Sequence, residues 1–97
     1  MKQPDFQDTI EVLHLKSARE ILRQIIEEPK TVREIHDELK DNDHSLSYRE
    51  SVFKSLERMV EAGLVEKIQN DKRVSYRSSY SKIEMDFLKE KLRLEER

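Results

Sequence analysis

Ninety-seven residues, 35% of them apolar and 41% charged, make one small domain with a modest core. The absence of cysteine excludes disulfides, thiol catalysis and cysteine-ligated metal, and no apolar run approaches the roughly 18 residues that a membrane span requires. The net charge of −2 does not advertise a nucleic-acid binder, but the charge is uneven: −4 over residues 1–43, +3 over 44–82 and −1 over 83–97, so the basic excess falls in the middle of the chain.

The opening "MKQPDFQD" has no apolar stretch of the kind a signal peptide needs, and a cytoplasmic protein is expected. The elements that follow are punctuated by a capping-box pattern, a Ser, Thr or Asp followed three residues later by Glu. "DTIE" at Asp8–Glu11 predicts a helix over 8–15, although Ile10, Val12 and His14 also alternate as in a strand. "SARE" at Ser17–Glu20 predicts a second over 17–28, closed by Pro29 because the residue before proline resists helical ψ. Its buried side is Ala18, Ile21, Leu22, Ile25 and Ile26. "TVRE" at Thr31–Glu34 opens a short third helix over 31–40, with Val32, Ile35 and Leu39 inward.

"SYRE" at Ser47–Glu50 predicts a fourth helix over 47–62, with Val52, Leu56, Met59 and Val60 toward the core. Gly63, the only glycine of the chain, follows it. A residue without Cβ is suited to the left-handed conformation that stops a helix, so Gly63 is expected to turn this helix straight into a strand. "LVEKI" and "RVSYRSS" read as the two strands of a β-hairpin, with Val74 and Tyr76 inward and "QNDK" supplying the turn, where Asn70 and Asp71 tolerate left-handed φ. Finally, "SKIE" at Ser81–Glu84 predicts a fifth helix over 81–96.

The stretches "AREILRQIIEEPKTVREIHDEL", "SVFKSLERMVEAGLVEK" and "KRVSYR" carry a resemblance. The segment 17–79 resembles a winged helix-turn-helix domain of the ArsR/MarR-like regulator type. The expected fold is therefore mostly α with a small β-hairpin, a single domain over 1–97: a winged-helix core at 8–79 and an added C-terminal dimerisation helix at 81–97. It departs from that pattern in the long "DNDHSL" turn and in Phe53, which stands where such regulators often carry a small polar residue.

The resemblance implies double-stranded DNA as partner, with helix 47–62 in the major groove and the wing at 64–79 on the backbone. Ser47, Ser51, Lys54, Ser55 and Arg58 share the wheel face away from Val52 and Leu56, and short hydroxyls with cations suit close approach to bases and phosphates. Tyr48 and Arg49 flank the helix start, and Lys67, Lys72, Arg73 and Arg77 supply wing cations. The same face would serve equally as an ordinary solvated surface, and winged helices also act as protein-interaction modules in transcription or replication assemblies. A ligand-sensing repressor is a third reading, and it requires a cavity.

The last helix, as expected, bears two apolar stripes: Ile83, Phe87 and Leu94 on one side, Met85, Leu88 and Leu92 on the other. One stripe suffices for packing on its own domain, so a homodimer is expected through Met85, Leu88 and Leu92, with Ile10 and Leu13 completing the interface. His36, Asp37, Asp41, Asp43 and His44 are metal-compatible residue types without a recognised spacing, so no metal or other cofactor is expected. With one glycine and no nucleophile elbow, no enzymatic activity is expected either.

Overall fold

A computed structural model of the chain describes residues 3–97. Its order is α1 (Phe6–Leu13), α2 (Lys16–Gln24), α3 (Val32–Leu39), a 3-10 turn (His44–Leu46), α4 (Arg49–Glu61), β1 (Val65–Asn70), β2 (Arg73–Ser78), β3 (Tyr80–Asp86) and β4 (Lys91–Glu96). The core lies among α2, α3, α4 and the first hairpin. Ile21, Ile25, Ile35, Val52, Leu56, Met59, Leu64 and Tyr76 are fully buried there, as the helical spacing predicts for the first six.

Local signals fixed some boundaries and misplaced others. Thr31 and Glu34 do form a reciprocal box: the Thr31 hydroxyl accepts from the Glu34 backbone N–H at 3.2 Å, and the Glu34 carboxylate accepts from the Thr31 N–H at 2.9 Å. The other boxes do not form. Asp5, not Asp8, caps α1, and Ser17 lies inside α2, which starts after an uncapped Leu15. The Ser47 hydroxyl donates backward to the His44 carbonyl at 2.6 Å, so α4 begins at Arg49. Leu46, buried, anchors the 3-10 turn that fills the long connection between α3 and α4. Helix α2 stops at Gln24 rather than 28, because the Ile25 carbonyl turns to accept the Ser78 N–H at 2.9 Å.

Gly63 has φ 82°. The Leu64 N–H reaches the Met59 carbonyl at 2.9 Å and the Gly63 N–H the Val60 carbonyl at 3.0 Å, the Schellman pair that closes a helix and redirects the chain. The strand after it pairs antiparallel with β2, Lys67 opposite Tyr76 and Asn70 opposite Arg73, around a turn with Asp71 at φ 51°. Lys30 adds a third, minimal strand through two backbone bonds with Tyr76, at 3.0 and 2.8 Å. These are the helices and wing of a winged helix.

The C-terminal helix expected over 81–97 is not there. Residues Tyr80–Asp86 and Lys91–Glu96 form a second antiparallel hairpin, Ile83 opposite Leu94 and Met85 opposite Leu92. The two stripes expected on opposite sides of a helix are a period-two pattern. Ile83, Met85, Leu92 and Leu94 share one sheet face, and Lys82, Glu84 and Arg93 form ion pairs on the other. Ser81, expected to cap a helix, sits in β3. The Asp86 carboxylate accepts from the N–H groups of Leu88 and Lys89, at 3.1 and 3.0 Å, and Glu90 takes φ 51° to complete the turn without glycine.

Candidate nucleic-acid interface

Helix α4 is amphipathic, but its outward side is not uniformly basic. Val52, Leu56 and Met59 are buried. The N-terminal half exposes Arg49, Glu50, Phe53 and Lys54, and the C-terminal half exposes Arg58 and Glu61, with Glu57 half-buried. A groove opens between the start of α4, the start of α3 and the wing, and it brings together Arg33, Arg49, Lys67, Lys72 and Arg73. Its one carboxylate, Glu34, is paired with Arg73 at 3.0 Å. The Thr31 N–H and hydroxyl, then Arg73, hold the Glu34 carboxyl below its ordinary value.

The wing is fixed at this groove by a polar network. The Tyr76 hydroxyl donates to the Glu57 carboxylate at 2.7 Å, and Lys67 Nζ lies 3.3 Å from the same carboxylate and 5.9 Å from the Tyr76 ring centroid. Burial, then the hydrogen bond to Glu57, raises the Tyr76 phenol well above its ordinary value. The Tyr76 hydrogen bond, then Lys67, lowers the Glu57 carboxyl. Tyr76 is thus a core residue with a polar tip, as expected of it.

The residues expected at the interface separate into groups. Arg49, Lys67, Lys72 and Arg73 line the groove. Tyr48, 76% exposed, stands at the N-cap of α4, and Lys54 pairs with Glu50 one turn back at 3.2 Å. Ser51 and Ser55 are half-buried. Ser47 is turned to the 3-10 segment, and its carbonyl accepts from His36 Nε2 at 2.8 Å, so His36 ties α3 to the start of α4. Arg58 is on the far edge of the helix, in a hollow with Asp8 and Glu11 of α1. Arg77 does not line the groove and is held by Glu66, opposite it on β1, at 2.9 Å. The groove adds Arg33, which the sequence did not single out, and Phe53, which stood out only as a departure from the regulator pattern. Phe53 is 43% exposed, and an apolar residue without a core role on a helix that otherwise buries its apolar groups was the available signal.

A protein-family model described as penicillinase repressor matches residues 16–94, most of the chain. The chain belongs to the penicillinase repressor family. Despite the first word of that name, this is a family of winged-helix transcriptional regulators and not of enzymes. The matched span begins at α2 and runs through the wing into β4, so the second hairpin lies within it. No curated protein and no solved structure matches the chain. No described helix is long and apolar enough to cross a membrane.

Proposed function

We propose that this penicillinase repressor family member is a cytoplasmic repressor that recognises a specific double-stranded DNA sequence. The N-terminal half of α4 enters the major groove and the turn of the wing lies on the phosphate backbone. The observation that carries this reading is the groove, where five cations from α3, α4 and the wing converge against two carboxylates, Glu34 of the lining paired with Arg73 and Glu57 with Lys67. Arg49 and Tyr48 are positioned for base edges, Phe53 for a thymine methyl group, and Lys72, Arg73, Arg33 and Lys67 for phosphates. Glu61 disfavours approach of the C-terminal end of α4 to the backbone, and Lys67 reaches a phosphate only by loosening its pair with Glu57. Lys54 reaches DNA only by exchanging Glu50 for a phosphate, and Arg58 and Arg77 contribute little.

We further propose that the protein works as a homodimer joined through the second hairpin, in the place of the expected helix. Leu88 at its tip is 98% exposed, Leu92 is half-buried, and the outer edge of β4 has unpaired backbone groups. A two-fold dimer presents two α4 helices to a palindromic site. Selection of bound sequences from a random DNA pool, followed by a salt titration on the winner, tests the whole reading. A palindromic winner and an affinity that falls steeply with salt are expected. Binding that is weak for every sequence and insensitive to salt would instead indicate a protein-interaction module.

A further inference from the structure

A cavity of about 610 Å³ lies between α1, α2 and the second hairpin and shares no lining residue with the basic groove. Ile10 and Leu13 of α1, Leu22 and Ile26 of the α2 segment, and Ile83 and Met85 of β3 make its apolar wall. The volume is in the range of small-molecule sites, where an apolar lining sets affinity and a few polar groups set orientation. Its charged lining is one-sided: Arg19, Arg23 and Lys82 border it beside the His14 ring, and no carboxylate does, in a chain with 21 acidic residues. Arg19 spends one guanidinium N–H on the Leu13 carbonyl at 2.6 Å, and Lys82 is engaged by Glu84 at 2.8 Å. Arg23 has no hydrogen-bond or ion-pair partner among the described residues.

We propose that this cavity binds an amphiphilic anion, a carboxylate or sulfonate on an apolar body, with Arg23 as the principal anion clamp and Arg19 beside it. A neutral apolar ligand would leave the guanidinium of Arg23 unused, and a cation would meet only like charge. An anion with an apolar tail satisfies both parts of the site at once, and the fork of Arg23 offers a carboxylate two donors. The site also adjoins the wing. Ser78, at the end of β2, lines the cavity, and its N–H holds the Ile25 carbonyl at the end of α2. A ligand here touches the segment that joins the wing to the core.

The test uses the full chain and a pair of fluorescent probes of nearly the same shape, anilinonaphthalene sulfonate and the neutral phenylnaphthylamine, with dodecanoate as competitor. The expected result is saturable binding of one sulfonate probe per chain, displaced by dodecanoate and not by dodecyltrimethylammonium. The neutral probe should bind at least about tenfold more weakly. Arg23→Ala should reduce sulfonate affinity by about tenfold and leave the neutral probe unchanged. Arg23 is exposed, so the melting temperature should not move. Ile10→Trp, which narrows the apolar end of the cavity, should weaken binding of both probes. Equal affinity for the two probes, or sulfonate binding indifferent to Arg23→Ala, would overturn the proposal. So would binding confined to the monomer and lost on dimerisation, because a second copy would then be the occupant.

Discussion

The molecule contains two antiparallel hairpins of almost equal length, and they are held in different ways. The wing, β1–β2, is part of the core: Val65, Tyr76 and Ser78 are buried, and backbone bonds from Tyr76 to Lys30, from Ser78 to Ile25 and from Ser79 to Leu64 stitch it to the helices. The second hairpin, β3–β4, has no buried residue. It rests on the body through an edge-to-face contact of Phe87 with Phe6, ring centroids 5.8 Å apart, through half-buried Ile83, and through Arg97, which donates to the carbonyls of Ile26 and Glu27. A two-stranded hairpin is marginal without a packed face. The wing has that face covered by its own chain, whereas the second hairpin roofs a cavity. The difference teaches where rigidity is required: a surface that docks on DNA has to be pre-organised, while a surface that admits a ligand or a second copy has to remain open.

Core truncation measures this difference most directly. Tyr76→Ala removes a fully buried ring and leaves Glu57 with Lys67 as its one remaining partner among the described residues, and should cost about 3–5 kcal/mol. Ile83→Ala on the second hairpin should cost only about 1 kcal/mol, because the side chain is half-exposed already. Denaturant unfolding of the two variants checks this. Similar losses would mean that the second hairpin is as much a part of the core as the wing. Charge removal comes next. Lys72→Ala with Arg73→Ala in the wing should lower DNA affinity by about tenfold, or ~1.4 kcal/mol, and reduce the salt slope by about two units. Lys91→Ala on β4 should leave both unchanged, and a loss there would place DNA on the wrong side of the molecule.

Backbone conformation gives a smaller contrast of opposite sign. Gly63→Ala puts a Cβ at φ 82° on the junction that leads into the wing and should destabilise by about 1 kcal/mol. In the second hairpin the left-handed position is filled by Glu90 at φ 51°, so Glu90→Gly should be neutral or stabilise by up to about 0.5 kcal/mol. Thermal melts of the pair decide it, and a Glu90→Gly variant that melts markedly lower would show that the Glu90 side chain holds the turn.

The same two turns explain what the sequence could reveal. The wing was legible because each of its signals has a local cause: a lone glycine after an amphipathic helix, an Asn-Asp turn, and Val74 and Tyr76 alternating with polar residues. The second hairpin carries contrary local signals. Met85, Leu88, Lys89 and Leu92 are good helix formers, Ser81 and Glu84 mimic a capping box, and the turn has neither glycine nor asparagine. Only the placement of apolar stripes on opposite sides of the expected helix betrayed the strand period. At the interface the element was legible and the face was not. A wheel ranks residues by angle from the core, and so it grouped Arg58 with Lys54. Which edge of α4 meets the wing depends on how the sheet packs, and that packing selects Arg49 and Phe53 and leaves Arg58 beside α1.

The smallest expected effect concerns pH and salt. Tyr76 and Lys82 both hold their protons more tightly in the folded chain than in the unfolded one, Tyr76 through burial and Glu57, Lys82 through its hydrogen bond and attraction to Glu84. For each group the stabilisation is fully present below its ordinary value, 10.0 for the phenol and 10.5 for the ammonium, and is lost as pH rises through the folded value. Both hairpins therefore weaken in alkali, but salt should tell them apart. The Lys82–Glu84 pair lies on an exposed sheet face, and a Debye length of about 3 Å at 1 M salt screens it. The Tyr76 ring is buried, and its desolvation is indifferent to salt. At high salt Tyr76→Phe should still flatten the alkaline fall in stability, whereas Lys82→Ala should flatten it only at low salt. Glu84, lowered chiefly by Lys82, adds stability that is present above its ordinary value of 4.5 and lost as pH falls below it, so Glu84→Gln should act on the acid side and again only at low salt. Stability measured against pH at two salt concentrations checks all three variants. A salt-sensitive alkaline limb that disappears in Tyr76→Phe would mean that the wing tyrosine is open to solvent, and the contrast between the two hairpins would fail at its centre.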